Sequence, residues 1–200
     1  MKREAILFAL ILTLALTLSP PPSHALWWMV YHKPEFKGKV IDAETKEPIE
    51  GAVVVVVYSR RAIRIAPHAV SETVNVKEAL TDKDGNFHIS SYTTLIDPLS
   101  SESAATFIIF KPGYLSISGI NLEDCFSGGV CKEAELPWLY NQQLKYKIAS
   151  GIVELPKLKT REERIKASMV GVTGYHAKDL PLLYKTVNEE ERYLGIPERE

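Results

Sequence analysis

From residue 36 to residue 120 the chain runs in short apolar blocks separated by turn residues. Phe36, Val40 and Ile41 mark a first strand over 36–42, and the polar run Ala43-Glu44-Thr45-Lys46-Glu47 with Pro48 and Gly51 returns the chain. Ala52 to Tyr58 is an almost unbroken β-branched run. A half-exposed strand would alternate with polar residues, so this one is expected to be covered on both faces and to form the centre of the core. In residues 59–71, Arg60, Arg61 and Arg64 interleave with Ile63 and Ile65 before Pro67, as in a solvated edge or an insertion. Thr73, Val74, Val76, Ala79 and Leu80 predict a strand over 72–81, and Asp84-Gly85 within 81–87 is a hairpin signal. Phe87, Ile89 and Tyr92 form the next strand, Ala105–Phe110 another, and after Lys111-Pro112-Gly113 the residues Tyr114, Leu115, Ile117 and Ile120 start the last. Seven or so short strands without intervening helices predict a mainly β fold, an antiparallel sheet pair.

The pattern changes after residue 120. Residues 121–158 are expected to be a loop, holding Cys125 and Cys131, followed by a returning strand at Gly151–Leu155. Thr160-Arg161-Glu162-Glu163 has the form of a capping box and starts a helix. A second helix is predicted from about Leu180 to Leu194, with Leu183, Val187, Glu191 and Leu194 close together and Glu189-Glu190-Glu191 mostly on a solvated face; Gly195 and Pro197 stop it. Residues 159–200 are thus a helical tail, packed on the sandwich or on a partner.

The N-terminus reads as an address. Met1-Lys2-Arg3 is basic, Ala5–Leu18 is an uncharged apolar run, and Ser23-His24-Ala25 is a small-x-small cleavage pattern, so residues 1–25 are expected to be a signal peptide cut after Ala25. The apolar run is shorter than the ~20 residues a membrane-crossing helix needs. Trp27, Trp28 and Tyr31 would also suit the interface of an uncleaved segment, and membrane contact is expected only in that case. Export places the protein in the periplasm or outside the cell. Two cysteines close together in a Gly-bearing stretch of an exported chain are then expected to form a disulfide.

Charge excludes one class of partner. The full chain carries a net charge of −1 with acidic and basic residues mixed, so there is no basic face for nucleic acid.

Motifs for catalysis and metal binding are weak. Asp82-x-Asp84-x-Asn86 imitates the start of a calcium loop, but the sixth and twelfth positions are Phe87 and Thr93 instead of Gly and Glu, so a turn capped by its own aspartates is expected. His32-Lys33-Pro34-Glu35 has the His-x-x-Glu spacing of zinc carboxypeptidases, with His176 downstream, yet it directly precedes the sandwich and the chain is far shorter than such an enzyme. Neither a Gly-x-Ser-x-Gly nor a phosphate loop occurs, and the five histidines are scattered. No partner suggests itself for an isopeptide from Lys39. No cofactor is expected. Tyr92, Trp138 and Tyr140 are the candidate binding residues, as a platform on which a sugar could stack, but filling the core under a long loop is the favoured role for Trp138 and Tyr140.

Several spaced pieces carry a family resemblance: Gly38-x-Val40, Asp42, Thr45, Pro48-Ile49-x-Gly51-Ala52-x-Val54, Thr81-Asp82-x-x-Gly85-x-Phe87 and Lys111-Pro112-Gly113-Tyr114. In this order they resemble the carboxypeptidase regulatory-like domain, a transthyretin-like or prealbumin-like β-sandwich attached to many exported proteins. The resemblance covers about residues 35–120, with the domain placed at 26–120, and implies a seven-stranded Ig/prealbumin-like sandwich with an accessory, non-catalytic role. A hydrolase of the urate pathway shares that fold, but its C-terminal Tyr-Arg-Gly-Ser is not matched by Ile196-Pro197-Glu198-Arg199-Glu200. The expected function is an exported, non-enzymatic module with a structural or binding role in the cell envelope, its partner an unknown protein or glycan. A carbohydrate- or peptidoglycan-binding protein is the alternative, and a small hydrolase the remote one.

Overall fold

The computed structural model describes residues 29–62, 70–131, 134–138, 141–172 and 174–197. The strands are β1 (Val30–Lys33), β2 (Phe36–Asp42), β3 (Val53–Ala62), β4 (Val70–Leu80), β5 (Asn86–Ile89), β6 (Tyr92–Leu95), β7 (Ser100–Glu102), β8 (Thr106–Phe110), β9 (Ile117–Asn121), β10 (Ala134–Trp138), β11 (Asn141–Ala149) and β12 (Ile152–Leu155). The helices are α1 (Glu123–Phe126), α2 (Arg161–Ser168) and α3 (Pro181–Leu194).

Two sheets face each other in a sandwich-like fold. One has the order β10-β11-β12-β2-β5, the other β4-β3-β8-β9 with β7 on the end of β3, and β1 and β6 form a separate ribbon. The main core lies between the sheets, where Phe36, Val40, Phe87, Tyr146, Ile148 and Val153 meet Val54, Val56, Tyr58, Phe107 and Ile109. The Phe36 and Phe107 rings, one from each sheet, meet edge to face at 5.2 Å.

The β-branched run is buried on both faces, as its composition requires. Val54, Val56 and Tyr58 point into the main core, while Val53, Val55 and Val57 point outward into a second cluster with Ile108, Phe110, Val170, Leu180, Leu183 and Val187. The helical tail is therefore the cover of one sheet. Its capping box forms as read, with Glu163 N–H donating to Thr160 Oγ1 and Glu163 Oε2 accepting from Thr160 N–H.

Five expectations are corrected. Twelve strands are present among the described residues instead of about seven. The pairing is antiparallel with one exception, since β12 runs parallel to β2 after the β10–β11–β12 meander brings it to that edge. Residues 121–150 are not a loop: they contain α1, β10 and the nine-residue β11, whose alternating Leu144, Tyr146 and Ile148 face the core. Asp84-Gly85 does not close a hairpin, because β4 pairs with β3 while β5 pairs with β2, so residues 81–85 form a corner between sheets. Glu190 and Glu191 are buried instead of solvated, 3% exposed each, because α3 is flanked by both the sheet and α2.

The turn pieces that stood out in the sequence bind one another. Thr81 Oγ1 donates to Ile49 C=O and accepts from Ala52 N–H, and Val40 N–H donates to Gly85 C=O. Gly85 has a φ of +76°, and a Cβ there would come within 2.5 Å of Val40 O, so the corner needs glycine on both counts. Asp82 Oδ1 accepts from the N–H groups of Asp84 and Asn86, the self-capped turn expected in place of a calcium loop.

Candidate binding cleft

Period-two alternation along β2 and β5 turns Lys37, Lys39, Asn86 and His88 to the same side of the sheet, in the cross-strand pairs Lys37↔His88 and Lys39↔Asn86. Beside them the β11–β12 turn, Ser150-Gly151, and the end of α1 close off a cleft of about 1000 Å³. Leu80 and Ile152 add exposed apolar surface, at 47% and 36%.

The wall of this cleft is fixed by two devices. The Cys125–Cys131 disulfide ties the short α1 segment to the chain that follows it. Phe126, next to Cys125, turns its ring inward against Phe87 and Phe107, at 5.0 Å from each. That ring occupies the space a Cβ on Gly38 would need, only 2.6 Å away, which gives the Gly38 of the Gly-x-Val motif a packing reason.

Glu35 organises the charge at the rim. Its Oε1 accepts from Lys37 Nζ at 2.6 Å, and its Oε2 lies 3.0 Å from His88 Nε2. The hydrogen bonds from Lys37 and His88 hold the Glu35 carboxyl below its usual range. Among the described residues no carboxylate pairs with Lys39, whose backbone N–H is held by Gly151 C=O at 2.9 Å. The cleft thus offers a cation, an imidazole, the Asn86 amide and two apolar contacts along one open trough. Such a surface can hold a polymer segment carrying carboxylate and hydroxyl groups.

Two buried charged groups, Asp42 and Lys33, are tied up in the scaffold. Asp42 is 1% exposed; burial pushes its carboxyl up, but the Thr45 and Glu44 N–H groups, Lys157 and the Tyr114 hydroxyl outweigh this and hold it at about 2. Lys33, 3% exposed, lies 2.6 Å from Glu102 and 2.9 Å from Glu123, and so fastens β1 to β7 and α1. Burial pushes the Tyr58 hydroxyl up to about 12.

Trp138 and Tyr92, the two described residues among those expected to bind a ligand, pack against different aromatic neighbours. Trp138 is 5% exposed and belongs to the main core, the favoured role for it, and is no open platform; with Tyr146 it lines a separate hollow of about 350 Å³ between β9 and β10, beside Ser116, Ser118 and Lys166. The Tyr92 ring lies 4.8 Å from that of Tyr58, tilted by 34°, with Lys77 above it. Tyr140 lies outside the described residues. His32 bonds to Thr93, while Glu35 turns to Lys37 and His88. Among the described residues no three His, Cys, Asp or Glu side chains gather as a metal site.

Lys39, His88 and Glu35 as a group were missed in the sequence, although the alternation Lys37-x-Lys39 in a predicted strand already placed two cations on one face. What the sequence could not supply was the strand paired with it. Compared with known proteins, the chain matches no family model and no curated protein.

Proposed function

We propose that the chain is an exported, non-enzymatic binding module of the cell envelope, built on a carboxypeptidase regulatory-like, prealbumin-like sandwich. Its seven-stranded core would be β2, β3, β4, β5, β8, β9 and β12, with the β1–β6 ribbon, β7 and the β10–β11 hairpin as additions. Two observations support the fold assignment: the spaced motif pieces contact one another around Val40, Gly85 and Thr81, and Tyr114 of the Lys-Pro-Gly-Tyr segment donates to Asp42 at 3.1 Å.

The observation that carries the binding role is the open cleft lined by Lys39 and by the hydrogen-bonded Lys37–Glu35–His88 chain. Here Glu35 is kept ionised as an acceptor between two donors, a state suited to recognition. The ligand class is an anionic or polyhydroxylated envelope polymer. Retention of the purified protein on the insoluble envelope fraction of its host tests this, with Lys39→Glu and His88→Ala expected to release it. Unchanged retention by both variants would remove the cleft from the account. Release of soluble fragments from the envelope material by the wild-type protein would turn the reading to a hydrolase.

A second ligand position is favoured by the Trp138–Tyr146 hollow, which could seat one sugar ring beside these aromatic residues, with Ser116 and Ser118 in the same lining. Loss of glycan retention in Trp138→Ala with retention kept in Lys39→Glu would select it.

A further inference from the structure

We infer that the β1–β6 end of the protein is a lipid-facing surface, on which Val30, Leu95 and Leu99 enter the interface of a bilayer. Eight large hydrophobic residues are exposed among those described, and three of them sit at this end: Leu95 at 70%, Leu99 at 69% and Val30 at 44%. Val30 and Leu95 are direct cross-strand partners on the outer side of the ribbon. Leu99 follows in the turn closed by Ser100 N–H to Asp97 C=O, where it lines a hollow of about 500 Å³ with Ala62 and Pro98. Single exposed leucines are ordinary, whereas a cluster at one end of a domain marks a contact surface.

Three features select a bilayer as the occupant. The chain enters the fold at this end, with Ile96 N–H donating to Met29 C=O at 2.8 Å next to Leu95. After the expected cut at Ala25 the chain begins Leu26-Trp27-Trp28 directly before Met29, and Trp favours the membrane interface. Arg60 is paired with Glu72 at 3.0 Å and with Asp97, and with the exposed Arg61 beside it these four side chains sum to no net formal charge. Contact would therefore be apolar and nearly independent of salt and of anionic lipid.

The patch is also held rigidly. On the ribbon's inner side Tyr31 packs edge to face on Tyr58 at 6.4 Å, and Lys33 bonds Glu102 and Glu123. The orientation it implies points the far end of the sandwich, with the residue 81–85 corner, away from the lipid. From Val53 to Ala62 the strand β3 spans about 30 Å between these ends.

The test uses the chain as recovered from a secreting host, mixed with neutral phosphatidylcholine vesicles. Nitroxide labels are placed at Leu95→Cys, Leu99→Cys and, at the far corner, Asp84→Cys; Cys125 and Cys131 are disulfide-bonded and do not take the label. With vesicles, the labels at 95 and 99 should lose access to a water-soluble relaxant and gain access to oxygen, while the label at 84 is unchanged. Leu95→Ser/Leu99→Ser should lower vesicle partitioning by about tenfold or more, with little effect of salt on the wild type. Equal water exposure of all three labels, whether or not the protein floats with vesicles, would overturn the inference. So would shielding of 95 and 99 that needs protein concentration and no lipid, which would assign the patch to a second copy. Envelope retention through the Lys39 cleft is a separate readout, so either result can fail without the other.

Discussion

The carboxylate of Glu78, on β4, caps helix α3 by accepting from the backbone N–H of Leu182 at 2.7 Å, with its second oxygen taking Leu183 N–H at 3.1 Å. The helix has no local side-chain cap, because Leu180 stands at that position and Pro181 follows. A sheet residue thus supplies both the missing acceptors and a negative charge at the positive end of the helix. Glu78→Ala should cost about 1–2 kcal/mol, read by urea unfolding, and should speed amide exchange at Leu182 and Leu183. Glu78→Gln, which keeps an acceptor and loses the charge, should fall between. Exchange at those amides unchanged in Glu78→Ala would mean that packing alone seats the helix.

Gly38 and Phe126 compete for one space. A methyl at residue 38 would stand 2.6 Å from the Phe126 ring and 2.7 Å from Phe87. Gly38→Ala should therefore destabilise the protein by about 1–3 kcal/mol and displace the wall of the cleft. Adding Phe126→Leu should recover part of that loss, so the double variant would be less destabilised than the sum of the two single ones. Strict additivity in denaturant melts would argue against the shared space.

Acid should act through Asp42. Its carboxyl lies at about 2 in the folded protein against an ordinary 3.8, so the unfolded chain takes up the proton first as pH falls. The stabilisation is complete above pH 4 and is lost as the pH drops towards 2, amounting to about 2 kcal/mol. Asp42→Asn should be less stable at neutral pH and should show a shallower loss between pH 4 and pH 2. Parallel stability curves for the two proteins across that window would contradict this.

Glu190 receives a two-pronged contact from Arg164, at 2.6 and 2.7 Å, and lies 3.3 Å from Gly113 N. Its hydrogen bond to Arg164 raises the guanidinium pKa still further and joins α2, α3 and the Lys-Pro-Gly turn. Removing one partner leaves the other charge underemployed in a largely buried site, so Glu190→Ala should cost about 3 kcal/mol. Glu190→Ala/Arg164→Leu should be more stable than Glu190→Ala alone. Thermal melts of the four proteins decide it.

The cleft was half legible in the sequence. Lys37-x-Lys39 and Asn86-x-His88 each follow from strand periodicity, and the paired cysteines follow from their spacing. Their meeting depends on β2 pairing with β5 instead of β4 with β5, a choice made between strands that are far apart in the chain. Trp138 shows the reverse case: its role as a core filler was legible from the residue type, while the β10–β11 pairing that carries it into the core was not, because the stretch has no clear period.

By itself the sequence determined what is local. The β-branched run Ala52–Tyr58 demanded cover on two faces, Thr160 and Glu163 fixed a helix start, and Asp82 with Gly85 fixed a tight turn, because each effect acts within a few residues of backbone. Tertiary structure decided what depends on distant partners. It made that turn a passage between sheets, set β12 parallel to β2, buried Glu190 against Arg164, and brought Glu78 to a helix 104 residues away. These choices follow from which faces and edges can be buried together, a property of the whole packed chain that no short segment contains.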